Sequence, residues 1–153
     1  MPKSKRRTRG PKFQGHLRAA YRSGLEAAVG ALLATAGIAY EFESVKVQYE
    51  QPAKARKYTP DFILPNGIIL ETKGLFVVED RQKHVWIKEQ HPALDIRFVF
   101  SNANAKLRKG SKTTYADWAE NNGFRWSHKV PPKEWLTEPV EPRRKAAVDA
   151  LRG

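Results

Sequence analysis

The chain has 153 residues, of which 41% are hydrophobic and 29% are charged, values typical of a single globular domain. It contains no cysteine, which excludes disulfides, cysteine-ligated zinc and thiol nucleophiles. No apolar run reaches the length of a membrane span, and no apolar segment follows the basic N-terminus, so we expect neither a membrane helix nor a secretory signal. These features indicate a reducing, cytoplasmic compartment.

The formal net charge of +12 is concentrated at the two ends of the chain. Residues 1–25 contain eight basic side chains and no acidic one, residues 143–153 have a net charge of +3, and residues 26–142 have a net charge of +1. A basic arm on a nearly neutral body usually binds a polyanion. Nucleic acid is the favoured partner, and an anionic membrane surface is the weaker alternative because residues 1–12 lack an apolar helical face.

The first third of the chain combines a basic arm, a helix and a strand. Residues 1–18 are rich in Lys, Arg, Gly and Pro, and we expect them to be disordered until bound. Ser and Glu at capping-box spacing predict a helix that begins after Ser23 and ends at Gly37. Alternating β-branched and aromatic residues predict a strand over 40–50, and a proline with three cations predicts a connector over 51–57.

The centre of the chain contains a predicted hairpin followed by a helix and a further strand. Strands over 61–64 and 68–73 flank Pro65-Asn66-Gly67, which is a strong turn signal. A helix over 79–91 and a buried strand over 96–100 follow. The second hairpin strand and this last strand should therefore be parallel and joined by a right-handed crossover.

The predicted elements beyond residue 100 are shorter. A polar loop covers 102–112, a capped helix 114–122, an edge strand 124–126 and a helical turn 132–135. The predicted fold class is α/β, with a mixed central β-sheet flanked by helices. We divide the chain into a basic arm (1–18), a folded domain (19–136) and a basic C-terminal tail (137–153).

Asp61, Glu71 and Lys73 are the main candidates for catalysis. Glu71 and Lys73 are two residues apart on one predicted strand, so they project from the same face. A divalent metal held by Asp61 and Glu71 would balance their charges, and Lys73 could orient or deprotonate a water or offset charge on a phosphodiester. The Pro-Asp…(Asp/Glu)-x-Lys pattern is that of a large nuclease superfamily. On the motif alone, a solvated salt bridge on an edge strand is the alternative interpretation.

The length of the hairpin loop decides whether these carboxylates can meet. A two-residue turn would set Asp61 opposite Thr72, on the wrong face for Glu71. A three-residue loop ending at Gly67 sets Asp61 directly opposite Glu71, and the glycine can take the left-handed conformation that such loops need. Although Asn66-Gly67 by itself favours the two-residue turn, the metal site requires the three-residue loop, which we therefore predict.

Other acidic residues have more than one interpretation. Glu26 is either the third residue of a capping box or a further carboxylate that reaches a metal from the helix. Glu41 and Glu43 alternate along a predicted strand, and the pattern does not choose between them. The four histidines form no metal-ligand pair at short helical spacing.

Eight motifs follow one another in unbroken order between about Arg22 and Trp135. They are Arg22-Ser23-Gly24-Leu25-Glu26, Tyr58-Thr59-Pro60-Asp61-Phe62, Leu64-Pro65-Asn66-Gly67-Ile68, Glu71-Thr72-Lys73-Gly74-Leu75, Asp80-Arg81, Lys83-His84, Glu89-Gln90-His91-Pro92 and Leu94-Asp95-Ile96-Arg97. These motifs closely resemble the endonuclease I family of T-odd bacteriophages, which are Holliday-junction resolvases of the PD-(D/E)xK nuclease superfamily.

The resemblance implies a restriction-endonuclease-like core and a domain-swapped homodimer that cuts branched DNA with Mg²⁺ or Mn²⁺, two ions in each active site. It implies that the partner chain supplies the helix glutamate and that 51–57 is the crossing bridge. The implied catalytic residues are Glu26, Glu41, Asp61, Glu71 and Lys73, and the implied metal ligands are Asp61, Glu71, Glu26 and the backbone carbonyl of Thr72.

The sequence thus predicts a structure-selective DNA endonuclease that resolves four-way junctions in the cytoplasm of a phage-infected cell, with no membrane partner and no small-molecule cofactor. The alternatives are a non-catalytic basic nucleic-acid-binding protein, which would not need the acidic cluster, and a restriction-type duplex nuclease, for which no separate base-reading module is visible. The candidate DNA-binding residues are Lys3, Lys5, Arg6, Arg7, Arg9, Lys12, Arg22, Lys106, Arg108, Lys109 and Lys112.

Overall fold

The computed structural model describes residues 23–51 and 54–152, so the arm predicted over 1–18 lies outside the described residues. The helices are α1 (Gly24–Thr35), α2 (Val78–Gln90), α3 (Tyr115–Asn121), α4 (Lys133–Thr137) and α5 (Pro142–Leu151). The strands are β1 (Glu41–Phe42), β2 (Val47–Gln51), β3 (Lys54–Tyr58), β4 (Phe62–Ile63), β5 (Ile69–Lys73), β6 (Ile96–Phe100) and β7 (Trp126–His128).

The main sheet has five strands in the order β1-β4-β5-β6-β7. Strands β1, β4 and β5 pair antiparallel, whereas β5, β6 and β7 pair parallel. Strands β2 and β3 form a separate antiparallel pair that packs against α2. The predicted mixed α/β sheet and the parallel β5–α2–β6 unit are both confirmed.

The sheet buries a hydrophobic cluster on each face. One face packs under α2 and α3 and includes Ile63, Ile69, Phe98 and Phe100. The other face packs under α1 and α4 and includes Phe62, Leu70 and Val99 with Val29 and Leu33 of α1. The central strands β5 and β6 are thus covered on both sides, and a charged side chain on them is held in a mostly apolar setting.

The helix-start signals of the sequence are confirmed. The Ser23 hydroxyl accepts a hydrogen bond of 3.1 Å from the Glu26 N–H, and Gly37 follows α1 with φ +69°. At α3, Thr114 and Asp117 form both hydrogen bonds of a capping box. Each such cap satisfies N–H groups that the first turn of a helix leaves without partners.

The segment predicted as one strand and a connector has a different structure. The strand predicted over 40–50 is broken after Phe42, where Glu43 has φ +48°. Residues 54–57, predicted as part of an irregular connector, belong to β3 and pair with β2. Their side chains are exposed, so the cations do not oppose strand formation, while the alternate residues of β2 are buried.

The C-terminal predictions also need correction. The edge strand is β7, two residues later than predicted, because Phe124 is buried against α3 instead of extending the sheet. The segment predicted as a basic tail contains the packed helix α5. Val148 of this helix is fully buried, and the Arg144 guanidinium lies 3.1 Å from Asp95 and 3.0 Å from Glu138.

Over the described ranges 23–51 and 54–152, none of the helices is long and apolar enough to cross a membrane.

His84 is a fully buried residue of α2. Its ring packs edge-on against Tyr58 and Phe98, at centroid distances of 5.0 and 4.9 Å. Within the described part of the chain, neither ring nitrogen has a hydrogen-bond partner. Burial lowers the pKa of His84 well below its usual value of 6.5, because a buried imidazolium would lose its hydration. His84 is therefore a neutral core residue.

We expect this histidine to make the protein less stable in acid. The unfolded chain takes up a proton on His84 below about pH 6.5 and the folded protein does not, so the free energy of unfolding falls as pH decreases through that value. Urea unfolding should show this part of the pH dependence in wild type and in a His128→Gln control, and not in His84→Leu. An equal pH dependence in His84→Leu would contradict the assignment.

Candidate active site

The hairpin between β4 and β5 has the three-residue loop that the sequence predicts. Ile63 pairs with Ile69, and the Leu64 N–H donates to the Ile68 carbonyl at 2.9 Å. The loop closes with a hydrogen bond of 2.9 Å from the Gly67 N–H to the Leu64 carbonyl, and Gly67 has φ +88°. Continued outward, this register sets Asp61 opposite Glu71, as predicted.

The loop is held from outside by the C-terminal part of the chain. The Asn66 side chain donates to the backbone carbonyls of Trp135 and Glu138, both at 3.0 Å. Arg144 of α5 donates to the Asn66 carbonyl at 3.1 Å. These contacts fix the loop conformation on which the register of β4 and β5 depends.

Asp61 is buried, and its carboxylate is oriented by the neighbouring strand. One of its oxygens accepts hydrogen bonds from the Thr72 N–H at 2.9 Å and from the Thr72 hydroxyl at 2.8 Å. Burial raises the pKa of Asp61, and the two hydrogen bonds from Thr72 act against that shift. The Thr72 side chain thus serves to hold Asp61.

Glu26, Glu43 and Asp61 form a cluster of carboxylates. One oxygen from each lies within 4.8 Å of the other two. Glu26 reaches the cluster from the first turn of α1, and the Glu43 N–H donates to the Asp61 carbonyl at 2.9 Å. The left-handed backbone of Glu43 ends β1 at this point. The cluster thus joins a residue of α1 to residues beside β1 and β4.

Glu71 is held on both sides of its carboxylate. The buried Tyr58 hydroxyl donates to Oε2, and the Lys73 ammonium lies 3.7 Å from Oε1. The same ammonium is 3.6 Å from Asp80 of α2. Burial, followed by repulsion from Asp61, raises the pKa of Glu71 to about 8. A nearby cation would relieve both effects, and carboxylate oxygens are the donors that Mg²⁺ and Mn²⁺ prefer, so these residues fit a divalent metal.

Glu41 lies apart from this cluster in the structure. It forms an ion pair with Arg152 at the end of α5 and accepts a hydrogen bond of 3.2 Å from Ser44. The contact with Arg152 lowers the pKa of Glu41, whereas the pKa values of Asp61 and Glu71 are raised. Of the two acids between which the sequence pattern does not choose, Glu43 is the one beside Asp61.

The candidate DNA-binding residues fall into two groups. The side chains of Lys106, Arg108, Lys109 and Lys112 are all exposed on the loop between β6 and α3. The remaining seven lie outside the described residues: Lys3, Lys5, Arg6, Arg7, Arg9, Lys12 and Arg22.

Three residues that lie at or beside the site are not among the predicted site residues: Tyr58, Asp80 and Lys83. A tyrosine three residues before Asp61 has no functional spacing of its own, and only the fold brings its hydroxyl to Glu71. Asp80 and Lys83 are three residues apart, which places them on one face of α2. This spacing, a few residues after Lys73 in the chain, is the sequence signal that could have identified Asp80 and Lys83.

The chain is similar in sequence to known phage proteins. The family model described as phage endonuclease I matches residues 11–153. Endonuclease I of Escherichia phage T7 is 52% identical over 120 residues, which cover 78% of this chain and 80% of the relative. Endodeoxyribonuclease 1 of Enterobacteria phage T3 is 48% identical over 120 residues, which cover 78% of this chain and 79% of the relative. A match over this much of the chain, together with the paired carboxylates and lysine, shows that the protein belongs to the phage endonuclease I family.

Proposed function

We propose that this protein is a metal-dependent endonuclease that hydrolyses phosphodiester bonds in branched DNA. The observation that carries the proposal is the register of β4 and β5, which sets two buried carboxylates, Asp61 and Glu71, side by side with Lys73 two residues along the strand. The relatives from phages T7 and T3 are named as an endonuclease and an endodeoxyribonuclease, which supports DNA as the substrate.

The carboxylates would hold Mg²⁺ or Mn²⁺, two ions in each site, with the backbone carbonyl of Thr72 as a further ligand. When bound, the metal supplies Lewis-acid polarisation of the phosphate and a water of lowered pKa. Glu26, Asp61 and Glu71 are the proposed ligands, and Glu43 is placed to join them.

The side chains around the carboxylates have separate tasks in this reaction. Tyr58 and Lys73 each engage one oxygen of Glu71 and so fix the plane of that carboxylate. Thr72 holds one oxygen of Asp61 through its N–H and its hydroxyl. The Lys73 ammonium either orients the attacking water or offsets negative charge that develops on the phosphate. We also propose that Glu41 contributes to catalysis. It would act through its ion pair with Arg152, which joins β1 to the end of α5.

The substrate is proposed to be the four-way junction, cut in paired positions by a homodimer in the cytoplasm of the infected cell. An immobile four-way junction and a linear duplex of the same sequence should be incubated with the protein, with and without Mg²⁺. We expect paired cuts in the junction only when the metal is present, and far slower cutting of the duplex. Binding of the junction without any metal-dependent cutting would reject the proposal.

The exchange of α1 between protomers, with 51–57 as the bridge, is a proposal about assembly. It can be tested by refolding a mixture of Glu26→Ala and Asp61→Ala subunits. If the helix glutamate is supplied by the partner, the mixed dimers regain one intact site and nick a junction without resolving it. If α1 instead completes the site of its own chain, no nicking returns. The pairing of β2 with β3 within one chain is compatible with this second arrangement.

The basic arm is expected to contribute to binding and little to chemistry. Deletion of residues 2–12 removes six positive charges: Lys3, Lys5, Arg6, Arg7, Arg9 and Lys12. Junction affinity should fall and the slope of log K against log salt should flatten by up to about 5 units, because each phosphate contact contributes about 0.9. The cleavage rate of saturated substrate should stay near that of wild type. An unchanged slope would show that the arm does not contact DNA.

A further inference from the structure

Lys83 is a second lysine beside the carboxylates, and the reaction proposed above gives it no task. It lies on α2, three residues after Asp80, and its side chain is partly buried. Its ammonium nitrogen is 5.0 Å from the centre of the Tyr58 ring, whose hydroxyl donates to Glu71. The aromatic ring therefore holds this ammonium next to the candidate active site.

The surroundings of Lys83 do not fully compensate its charge. Glu71, Asp80 and Asp61 attract the ammonium, whereas Lys73 repels it. Burial is the largest effect and lowers the pKa of Lys83. Among the described residues no carboxylate oxygen lies within 4.0 Å of its Nζ, while Lys73 has two such partners. An additional anion would stabilise the charge of Lys83, since a partly buried ammonium without a close carboxylate partner is costly.

The DNA backbone is the anion that the proposed substrate brings to this position. We propose that Lys83 binds a phosphate of the strand that is cleaved, adjacent to the phosphate on which Asp61 and Glu71 act. The three N–H donors of an ammonium suit the oxygens of a phosphodiester, and such a contact positions the strand without reading its sequence. The Lys73 ammonium is held between Glu71 and Asp80, so the two lysines have different tasks. This inference rests on the proposed function.

The test compares two lysines of the same helix. Lys88 also lies on α2, with its ammonium 4.8 Å from the centre of the Phe124 ring, and it donates to the Gly123 carbonyl. Lys83→Met and Lys88→Met each remove one charge from above an aromatic ring while keeping the apolar stem. Only the first removes a charge beside the carboxylates.

Binding of the full-length protein to an immobile four-way junction should be measured in EDTA over a series of salt concentrations. We expect the slope of log K against log salt to flatten by about 0.9 in Lys83→Met, and to match wild type in Lys88→Met and in Lys83→Arg. A purely structural role for Lys83 would not change this slope. Equal slopes in wild type and Lys83→Met would overturn the inference, and Lys83→Gln provides the same comparison if the methionine variant does not fold. Loss of salt-dependent junction binding in wild type would instead reject the proposed function.

Discussion

Asp61→Asn is expected to lower the rate of junction cleavage by a factor on the order of 10³ or more while DNA binding is retained. The asparagine keeps the shape of the side chain and can still accept from Thr72, but it removes one negative charge from the cluster with Glu26 and Glu43. A divalent metal would then bind far more weakly. The loss of a buried negative charge does not weaken contacts to phosphate, so junction affinity in EDTA should be equal to or higher than that of wild type.

The measurement is single-turnover cleavage at saturating protein, together with junction binding in EDTA. Glu71→Gln should behave in the same way, because Glu71 lies opposite Asp61 on β5. Glu89→Gln removes an exposed acidic charge from α2 and is the matched control, which should cleave like wild type. Near-normal cleavage by either site variant in Mg²⁺ would show that the chemistry takes place elsewhere.

Gly67→Val is expected to lower the free energy of unfolding by about 3 kcal/mol and to reduce cleavage by the remaining folded protein. Gly67 has φ +88°, a conformation that costs a β-branched residue about 1–2 kcal/mol or more. A Cβ at this position would also lie 3.1 Å from the Lys145 Cα and 3.2 Å from the Arg144 Cγ. Overpacking of this kind adds about 1–3 kcal/mol. The hairpin can relieve this strain by changing the conformation of the loop that sets Asp61 opposite Glu71.

Gly37 provides the control for this second prediction. It has φ +69°, but a Cβ there would have no described atom within 4 Å. Gly37→Val should therefore show the backbone cost alone, about 1–2 kcal/mol, and should leave the cleavage rate of the folded protein unchanged. Urea unfolding and single-turnover cleavage compare the two variants. If both variants lost the same stability and Gly67→Val cleaved DNA at the wild-type rate, the loop would not control the site.

Much of the fold could be predicted because its signals are local. The caps at Ser23 and Thr114 and the loop at Gly67 are sequence patterns that act within a few residues. Strand β3 could not be predicted in this way, since its residues are exposed cations and only pairing with β2 makes it a strand. The packing of helix α5 could not be predicted for the same reason, because its buried residues contact residues that are distant in sequence.

The candidate site also has features that local sequence patterns predict and features that depend on tertiary packing. The facing positions of Asp61 and Glu71 follow from the alternation of side chains along two strands and the length of one loop. The contact of Tyr58 with Glu71 and the position of Lys83 over that ring depend on how β3 packs against α2, which no short-range pattern encodes. The choice between Glu41 and Glu43 depends on one left-handed residue that ends β1.

The dependence of the hairpin loop on α5 has a consequence during protein synthesis. A chain is made from its N-terminus, so the strands that bear Asp61 and Glu71 leave the ribosome well before Arg144, which donates to Asn66, and Arg152, which pairs with Glu41. A nascent chain that ends before α5 lacks these two contacts. Full DNA-cutting activity is therefore expected only after α5 has been synthesised and has packed against the loop.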